Sequence, residues 1–309
     1  MTSSQQFQAL LLFTLLGLVL GNVVVFTGNT FQFLQREKQE FMYDVMLSQA
    51  IDLHPKRTSV LEEPPLIEML YLDAGTFKLR GYEPGEAQQI TISRGFFIGK
   101  TEVTQGLWKV IMGNNPSQFR SCGDDCPVES VTWIESIHFL NRLSRHFGYR
   151  ECYGINADAV YLEDCGGFRL PTAAEWRYAA HTIKTRTSEL PTREFEDQCP
   201  PRSDSPGPVH CSVAGWGGFR GLDDTVSEWC WDWHRPGYTY TSRIDPKGAP
   251  GGIRHVFQGL SWCEFSPLCI QGEDIPDYPH FRSYDIGLRL VKAATSLDFP
   301  TKRDDNAGE

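Results

Sequence analysis

The sequence opens with a long apolar run from Ala9 to Phe26, interrupted at only four positions by small or polar residues. At a rise of about 1.5 Å per residue, a helix of this length just crosses a hydrocarbon core of about 30 Å. A cleaved signal peptide is the alternative, but residues 1–8 contain no Lys or Arg and no clean small-residue cleavage site follows. The pattern therefore predicts an N-terminal tail over residues 1–8 and a transmembrane anchor over residues 9–27.

The next hydrophobic pattern has a helical period. From Phe31 to Leu53, apolar residues recur at a spacing that gathers them on one broad side of a helix. The prolines Pro55, Pro64 and Pro65 follow, and a residue before proline is biased away from the helical conformation. Residues 28–64 are therefore predicted to form a helical spacer and a linker.

Beyond the linker, apolar and polar residues alternate as they do in β-strands. The segment from Leu66 to Arg80 alternates around a Gly turn, and residues 89–93 and 95–99 look like two further strands. Three helices are indicated by their N-terminal capping residues. They are Gln105 to Met112 after Thr104, a helix from Thr132 and Glu135 to about Phe147, and a helix from Thr172 and Glu175 through Ala180. This mixture predicts an α+β fold.

Long Gly-, Pro- and Cys-rich stretches separate these elements, and residues 182–221 show almost no periodicity. A compact domain with so much loop needs disulfides or bound ions to hold it. The polar segment 295–309 is predicted to be a disordered tail. Hydrophobic residues make up 40% of the chain, which excludes a mostly disordered protein. A formal net charge of -10, without any basic stripe, argues against nucleic acid as a partner.

All nine cysteines lie between Cys122 and Cys269, and so many favour an oxidising compartment. The simplest pairing joins close neighbours and leaves Cys230 as a buried apolar thiol. The candidate pairs are Cys122 with Cys126, Cys152 with Cys165, Cys199 with Cys211, and Cys263 with Cys269. A zinc site is the weaker alternative, because no Cys-x2-Cys motif occurs and the eight His are scattered.

The compartment follows from two opposed signals. Arg36 and Lys38 follow the apolar run and favour a cytoplasmic C-terminal side by the positive-inside rule. The cysteines favour the opposite side, and two basic residues offset by Glu37 and Glu40 are the thinner signal. The domain is therefore predicted to lie outside the cytoplasm, in the periplasm or the extracellular space, and to be held at the membrane by its N-terminal helix.

Six segments occur in an order and spacing that resemble one protein family. They are FFIGKTEVTQGLWKVIMGNNPSQF from Phe96, CPVESVTWIESIHFLNRL from Cys126, GGFRLPTAAEWRYAA from Gly166, GLDDTVSEWCWDW from Gly221, QGLSW from Gln258 and DIGLRLV from Asp285. Together they resemble the formylglycine-generating enzyme (sulfatase-modifying factor) domain family over residues 65–294. The resemblance implies a compact, loop-rich α+β domain related to C-type lectins, with little regular secondary structure and often stabilised by calcium.

The resemblance also implies a candidate reaction. In catalytic members, two cysteines after the Gly-Gly-Ser-Trp/Tyr segment bind copper(I), and with dioxygen they oxidise a cysteine of a sulfatase to formylglycine. Two thiolates suit a soft ion such as copper(I). Ser261 matches the motif serine, Trp262 follows it, and Cys269 falls where the second catalytic cysteine would be. Cys263 comes one position early, so the loop is Cys-x5-Cys where the family has Cys-x4-Cys, and a disulfide between Cys263 and Cys269 is the favoured alternative.

Two further departures weaken the catalytic interpretation. The family's Arg-Gly-Gly-Ser-Trp is replaced by Gln258-Gly-Leu-Ser-Trp262, in which a bulky Leu takes a Gly position. The loop from Gly221 is about three residues shorter than in the family and lacks the Gly-Asn whose oxygens help to hold calcium. Asp223, Asp224 and Glu228 offer carboxylate oxygens that could rebuild a calcium site. The equal alternative is that these acids are solvated loop residues.

Two functions are therefore weighed. The favoured one is a membrane-anchored, non-catalytic domain of the same fold that binds protein or glycan in an envelope assembly, because the glycine segment, the cysteine spacing and the calcium loop all depart from the family pattern. The alternative is a copper-dependent oxidoreductase that converts a cysteine of a target protein to formylglycine through Cys263 and Cys269, with Ser261 and Trp262 shaping the pocket. Calcium is expected only if the loop site survives, and copper only if the chain is catalytic.

Overall fold

The structure is a computed structural model. It describes residues 67–80, 87–156, 159–187, 205–212, 214–222, 225–235, 242–263, 275–295 and 298. The predicted tail, anchor and spacer before residue 65 lie outside these residues, as does most of the predicted C-terminal tail. No helix within the described ranges is long and apolar enough to span a bilayer.

The described part contains three α-helices and twelve short strands. The helices are α1 (Gln105–Met112), α2 (Trp133–His146) and α3 (Ala173–Thr187). The strands are β1 (Met69–Leu72), β2 (Gly75–Arg80), β3 (Ala87–Ile92), β4 (Phe96–Gly99), β5 (Tyr153–Asn156), β6 (Ala159–Leu162), β7 (Phe168–Arg169), β8 (Ser227–Trp233), β9 (His255–Gln258), β10 (Ile275–Asp277), β11 (Ile286–Gly287) and β12 (Val291–Ala293). Helices are few, the strands are short and loops connect them, so the predicted loop-rich α+β fold is confirmed.

All three helices begin at the predicted caps. The Thr104 side chain accepts a hydrogen bond from the Leu107 N–H at the start of α1, and Thr132 with Glu135 forms a complete capping box for α2. Thr172 and Glu175 form the same reciprocal pair for α3. The prediction was wrong about the end of α3, which continues seven residues past Ala180 to Thr187. Its last turns bury Ile183 in an otherwise polar stretch, so the hydrophobic pattern is weak there.

Two four-stranded sheets form the framework. The first has the strand order β1-β4-β12-β7, so the strand nearest the C-terminus pairs with one near the start of the domain. The second has the order β10-β9-β8-β11, with β9 antiparallel and β11 parallel to β8. The pairs β2-β3 and β5-β6 form two separate hairpins. The second sheet carries the calcium candidate Glu228 on β8, and it pairs this residue with Gln258 of β9 and Gly287 of β11. The predicted motif residues Ser261–Cys263 follow shortly after β9.

The largest core cluster packs α1 and α2 against the second sheet. Trp108 of α1 stacks on Phe139 of α2 with ring centroids 4.8 Å apart. Trp229 of β8 is fully buried and packs edge-on to Phe257 of β9. The Trp-rich run on β8 therefore contributes to the core, with Trp231 packed against the same cluster. Asp232 in that run accepts a hydrogen bond from the Ala173 N–H, so it helps to hold the start of α3.

Disulfides stabilise the loops as expected. The pairs Cys122–Cys126 and Cys152–Cys165 are present, with Cα atoms 5.9 Å and 5.0 Å apart. Cys230 is a buried thiol outside any disulfide, as predicted. Cys211 and Cys263 are also disulfide-bonded. Cys199 and Cys269 lie outside the described residues, so their pairings with Cys211 and Cys263 stay predictions.

Candidate functional site

The predicted motif residues follow β9 and lie beside β8. Gly259 leaves the strand with a φ of +89°, a conformation that glycine adopts without strain. Ser261 then forms an isolated parallel bridge with Thr225, whose carbonyl accepts the Trp262 N–H at 2.9 Å. The segment Ser261–Cys263 is therefore held by backbone pairing, and Ser261 and Cys263 are buried.

The sulfur of Cys263 lies against two polar side chains. The Ser261 Oγ is 3.3 Å from the Cys263 Sγ, and the Asp285 Oδ2 lies 3.5 Å from that hydroxyl and 3.9 Å from the sulfur. Asp285 is itself buried and accepts a hydrogen bond from the Ser283 hydroxyl. Asp285 was not predicted as a site residue, although it begins the DIGLRLV segment. In its disulfide form, Cys263 has no thiolate to offer to a metal.

Trp262 of this segment lies beside two other partly buried aromatic rings. We call the three residues Phe119, Trp262 and Tyr284 the aromatic rim. Phe119 meets Trp262 edge-on with centroids 5.4 Å apart, and meets Tyr284 at 6.2 Å. Trp262 and Tyr284 are 6.0 Å apart. The Trp262 Nε1 is buried and has no hydrogen-bond partner among the described residues. Only Trp262 of the three was predicted as a site residue.

Buried Glu129 positions the Phe119 part of the aromatic rim. Its Oε1 accepts the Phe119 N–H at 2.8 Å, and its own N–H donates to the Ser117 hydroxyl. Burial raises the pKa of Glu129 above its usual value, against the opposing hydrogen bonds from nearby backbone N–H groups. The next residue, Ser130, has a φ of +59° and donates its N–H to the Ser283 carbonyl. The adjacent residues Glu129 and Ser130 thus link the loop that carries Phe119 to the loop that carries Tyr284.

The calcium candidate Glu228 is fully buried on β8. Its Oε1 accepts from the Arg289 Nη2 at 2.7 Å, and its Oε2 accepts from the Trp176 Nε1 at 2.6 Å. Asp223 and Asp224 lie outside the described residues. Within the described residues, no group of three His, Cys, Asp or Glu side chains is placed to hold a metal ion. The oxygens of Glu228 are thus already engaged by protein donors, which does not fit calcium coordination.

A second buried carboxyl, that of Glu102, lies beside the same guanidinium. Its Oε2 is 3.7 Å from the Arg289 Nη2, and its Oε1 accepts a hydrogen bond from the Thr225 hydroxyl. Burial, reinforced by the nearby charge of Glu228, outweighs the attraction of Arg289 and raises the pKa of Glu102 from 4.5 to about 8. Neither Glu102 nor Arg289 was predicted as part of a site, since they come together only through the fold.

Sequence comparison places most of the chain in one domain family. The sulfatase-modifying factor enzyme 1-like domain matches residues 56–294. The chain is 29% identical over 205 residues to the chaperone protein LppX of Paenibacillus barcinonensis. That match covers 54% of this chain and 72% of LppX. It is 25% identical over 226 residues to the serine/threonine-protein kinase Pkn1 of Chlamydia trachomatis serovar L2. That match covers 67% of this chain but only 35% of the kinase.

Solved structures show the same fold. Variable protein 1 of Treponema denticola superposes with a TM-score of 0.59 at 29% identity, covering 73% of this chain and 95% of that protein. PvdO from Pseudomonas aeruginosa superposes with a TM-score of 0.54 at 18% identity, covering 75% of this chain and all of PvdO. CarF gives a TM-score of 0.50 at 22% identity, over 76% of this chain and all of CarF. At such low identity the last two show a shared fold alone.

Proposed function

The chain belongs to the sulfatase-modifying factor enzyme 1-like domain family, and we propose that it is a non-catalytic member that binds a protein partner or takes part in an assembly. The observation that carries the proposal is the state of Cys263. Its sulfur is in a disulfide and is packed against Ser261 and Asp285 in the interior. Copper(I) chemistry needs two thiolates that converge on the metal. A buried, crosslinked Cys263 supplies none.

The sequence around the site supports the same proposal. Cys263 comes one residue earlier than the catalytic pattern, and Leu260 stands at a glycine position of the family motif. Gly259 is kept, and a Cβ there would lie 3.1 Å from the Trp176 ring. The glycine that the backbone needs for packing is therefore retained, whereas the neighbouring glycine has been replaced.

The aromatic rim is the surface that we assign to the partner. Partly exposed Trp and Tyr side chains are enriched where binding energy concentrates in protein interfaces. The hydrogen bonds of Glu129 to Phe119 and of Ser130 to Ser283, the neighbour of Tyr284, hold these loops in place before any partner arrives, which lowers the entropy lost on binding. The relative named as a chaperone protein agrees with a role on other proteins.

Thiol counting and copper titration test this function on the full-length protein. Nine cysteines in four disulfides leave one thiol, so protein denatured without reductant should react at Cys230 alone. With its disulfides intact, the protein should show no tight copper(I) site, and a Cys-x-Pro-x-Arg peptide incubated with protein, copper and dioxygen should stay unmodified by mass spectrometry. Stoichiometric copper(I) binding that Cys269→Ser abolishes, together with peptide conversion to formylglycine, would establish the copper-dependent oxidase instead.

We further propose that residues 9–27 anchor the domain outside the cytoplasm. The support is the apolar run and the disulfides at Cys122–Cys126 and Cys152–Cys165, which persist in oxidising compartments. A reporter that is active only in the cytoplasm, fused after Glu309, should be silent. Reporter activity would place the domain on the cytoplasmic side of the membrane.

A further inference from the structure

Arg289 lies fully buried at the centre of a shell of oxygen atoms. Its Nε and Nη2 hydrogen-bond the Glu228 carboxylate at 2.9 Å and 2.7 Å. Backbone carbonyls complete the shell: Nη1 lies 3.0 Å from the Gly99 oxygen, and Nη2 also lies 2.9 Å and 3.1 Å from those of Arg220 and Gly221. Carboxylate and carbonyl oxygens are also the ligands that calcium prefers in proteins.

This shell fixes both ends of the shortened loop between Gly221 and Thr225. At one end, Arg289 binds the Gly221 carbonyl, and the Glu102 carboxyl packs so closely on Gly221 that a Cβ would lie 2.1 Å from its Oε1. At the other end, the Thr225 hydroxyl donates to Glu102, and Glu228 follows on β8. The loop that carries the predicted calcium ligands is therefore anchored by a protein cation and its carboxyl partners.

We propose that Arg289 and its carboxyl partners hold the two described ends of this loop, Gly221 and Thr225, in place of a bound calcium ion. The guanidinium takes the Glu228 oxygens that a metal would need and brings a positive charge that repels a divalent cation at short range. The Trp176 Nε1 donates to the Oε2 of the same carboxylate at 2.6 Å.

Calcium and a chelator applied to the unmodified full-length protein give the direct test. The Tm in excess EGTA should equal the Tm in millimolar CaCl2, and isothermal titration should show no calcium binding. A ligand that binds the folded state raises the Tm by mass action, so a bound calcium ion would be visible as a shift of several degrees. A Tm lowered by EGTA would overturn the proposal.

Two variants locate the effect. Asp223→Asn/Asp224→Asn removes the remaining candidate calcium ligands and should leave the Tm unchanged in both buffers. Arg289→Met removes the internal cation and should lower the Tm strongly, and Arg289→Lys should recover only part of the loss, because an ammonium cannot reproduce the planar fork. A Tm that falls in the double Asn variant and no longer responds to calcium would show that the metal, and not Arg289, holds the loop.

Discussion

The guanidinium of Arg169 binds the carboxylate of Glu175 through two parallel hydrogen bonds, at 2.7 Å and 2.6 Å. Arg169 ends β7 and Glu175 lies in the first turn of α3, so the pair joins a strand of the first sheet to the start of a helix. Glu175 also accepts the Thr172 N–H at 2.9 Å. One carboxylate thus caps the helix and fixes its angle to the sheet, and its predicted capping function is confirmed.

Glu175→Gln should destabilise the domain in a pH-dependent way. Burial opposes the charge, but Arg169 and hydrogen bonds from Thr172 hold the pKa of Glu175 below its usual 4.5. Because the folded-state pKa is the lower one, its stabilising effect is present above pH 4.5 and is lost as the pH falls through the folded-state pKa. Leaving Arg169 half-paired should cost about 3 kcal/mol at neutral pH. Urea unfolding across this pH range measures both effects.

Glu163→Gln is the matched control for that ion pair. Glu163 also binds an arginine, Arg150, at 2.6 Å, but both side chains are largely exposed. An exposed pair contributes roughly 0–1 kcal/mol because water screens the charges. Equal losses from Glu175→Gln and Glu163→Gln would contradict the assignment of a structural role to the buried pair.

Glu102→Gln should have the opposite pH signature. The pKa of Glu102 rises from 4.5 in the unfolded chain to about 8 in the folded one, chiefly through burial. Its stabilising effect is therefore complete below pH 4.5 and is lost as the pH rises to about 8. The glutamine variant should remove this decline and exceed the wild type in Tm above pH 8. Glu68→Gln, at an exposed ion pair with Lys100, should leave the decline unchanged.

His255→Phe should flatten the acid side of the stability profile. The imidazole stacks between Trp133 and Trp233 at centroid distances of 3.7 Å, and its Nδ1 donates to the Trp231 carbonyl. Burial lowers its pKa from 6.5 to about 3, so the unfolded chain takes up the proton first as the pH falls. The wild type should lose up to about 1.4 kcal/mol per pH unit in that window through this residue.

His146→Phe, at an exposed position on α2, provides the comparison for His255→Phe. It should leave the acid slope of the unfolding free energy as it is in the wild type. The variant His255→Phe loses the hydrogen bond to Trp231 at every pH, so its absolute stability falls whether or not His255 titrates. The decisive measurement is therefore the slope of the unfolding free energy against pH. An unchanged slope in His255→Phe would show that His255 is not the group that titrates.

Local features of this fold were predictable from sequence because their causes lie within a few residues. The capping box of α2 joins Thr132 to Glu135, and the disulfide Cys122–Cys126 spans four residues. Both depend on chemistry that a short peptide already contains. The overall fold was predictable from the six motif segments, because their order and spacing identify a family that no single segment identifies.

The surroundings of the site could not be predicted in the same way. Asp285 reaches the Cys263 sulfur because β11 runs parallel to β8, and Arg289 meets Glu228 across 61 residues of sequence. Nothing local distinguishes a solvated Glu228 from one that is buried against a guanidinium. Residue type alone makes Glu228 a candidate calcium ligand, whereas its burial and its partner Arg289 depend on the whole fold.

Trp262→Ala should cost the isolated protein little stability. Trp262 is partly exposed, and its ring contacts within the aromatic rim are worth roughly 0.5–1.5 kcal/mol each at most. Trp108→Ala removes a buried ring stacked on Phe139 and should cost about 3–5 kcal/mol. A surface kept for a partner contributes little to folding, so an equally large loss at Trp262 in urea unfolding would mean that the aromatic rim is part of the core.

Removing the two described disulfides should cost unequal amounts of stability. Cys152–Cys165 closes a loop with a sequence separation of 13, and Cys122–Cys126 one of 4. Chain-entropy estimates give about 3 kcal/mol for the longer loop and about 2 kcal/mol for the shorter one. The paired variants Cys152→Ala/Cys165→Ala and Cys122→Ala/Cys126→Ala are matched, because each removes one fully buried sulfur, at Cys152 or Cys126. Urea unfolding without reductant should rank them in that order, and a larger loss from the shorter loop would show that packing around Cys126, and not loop closure, dominates.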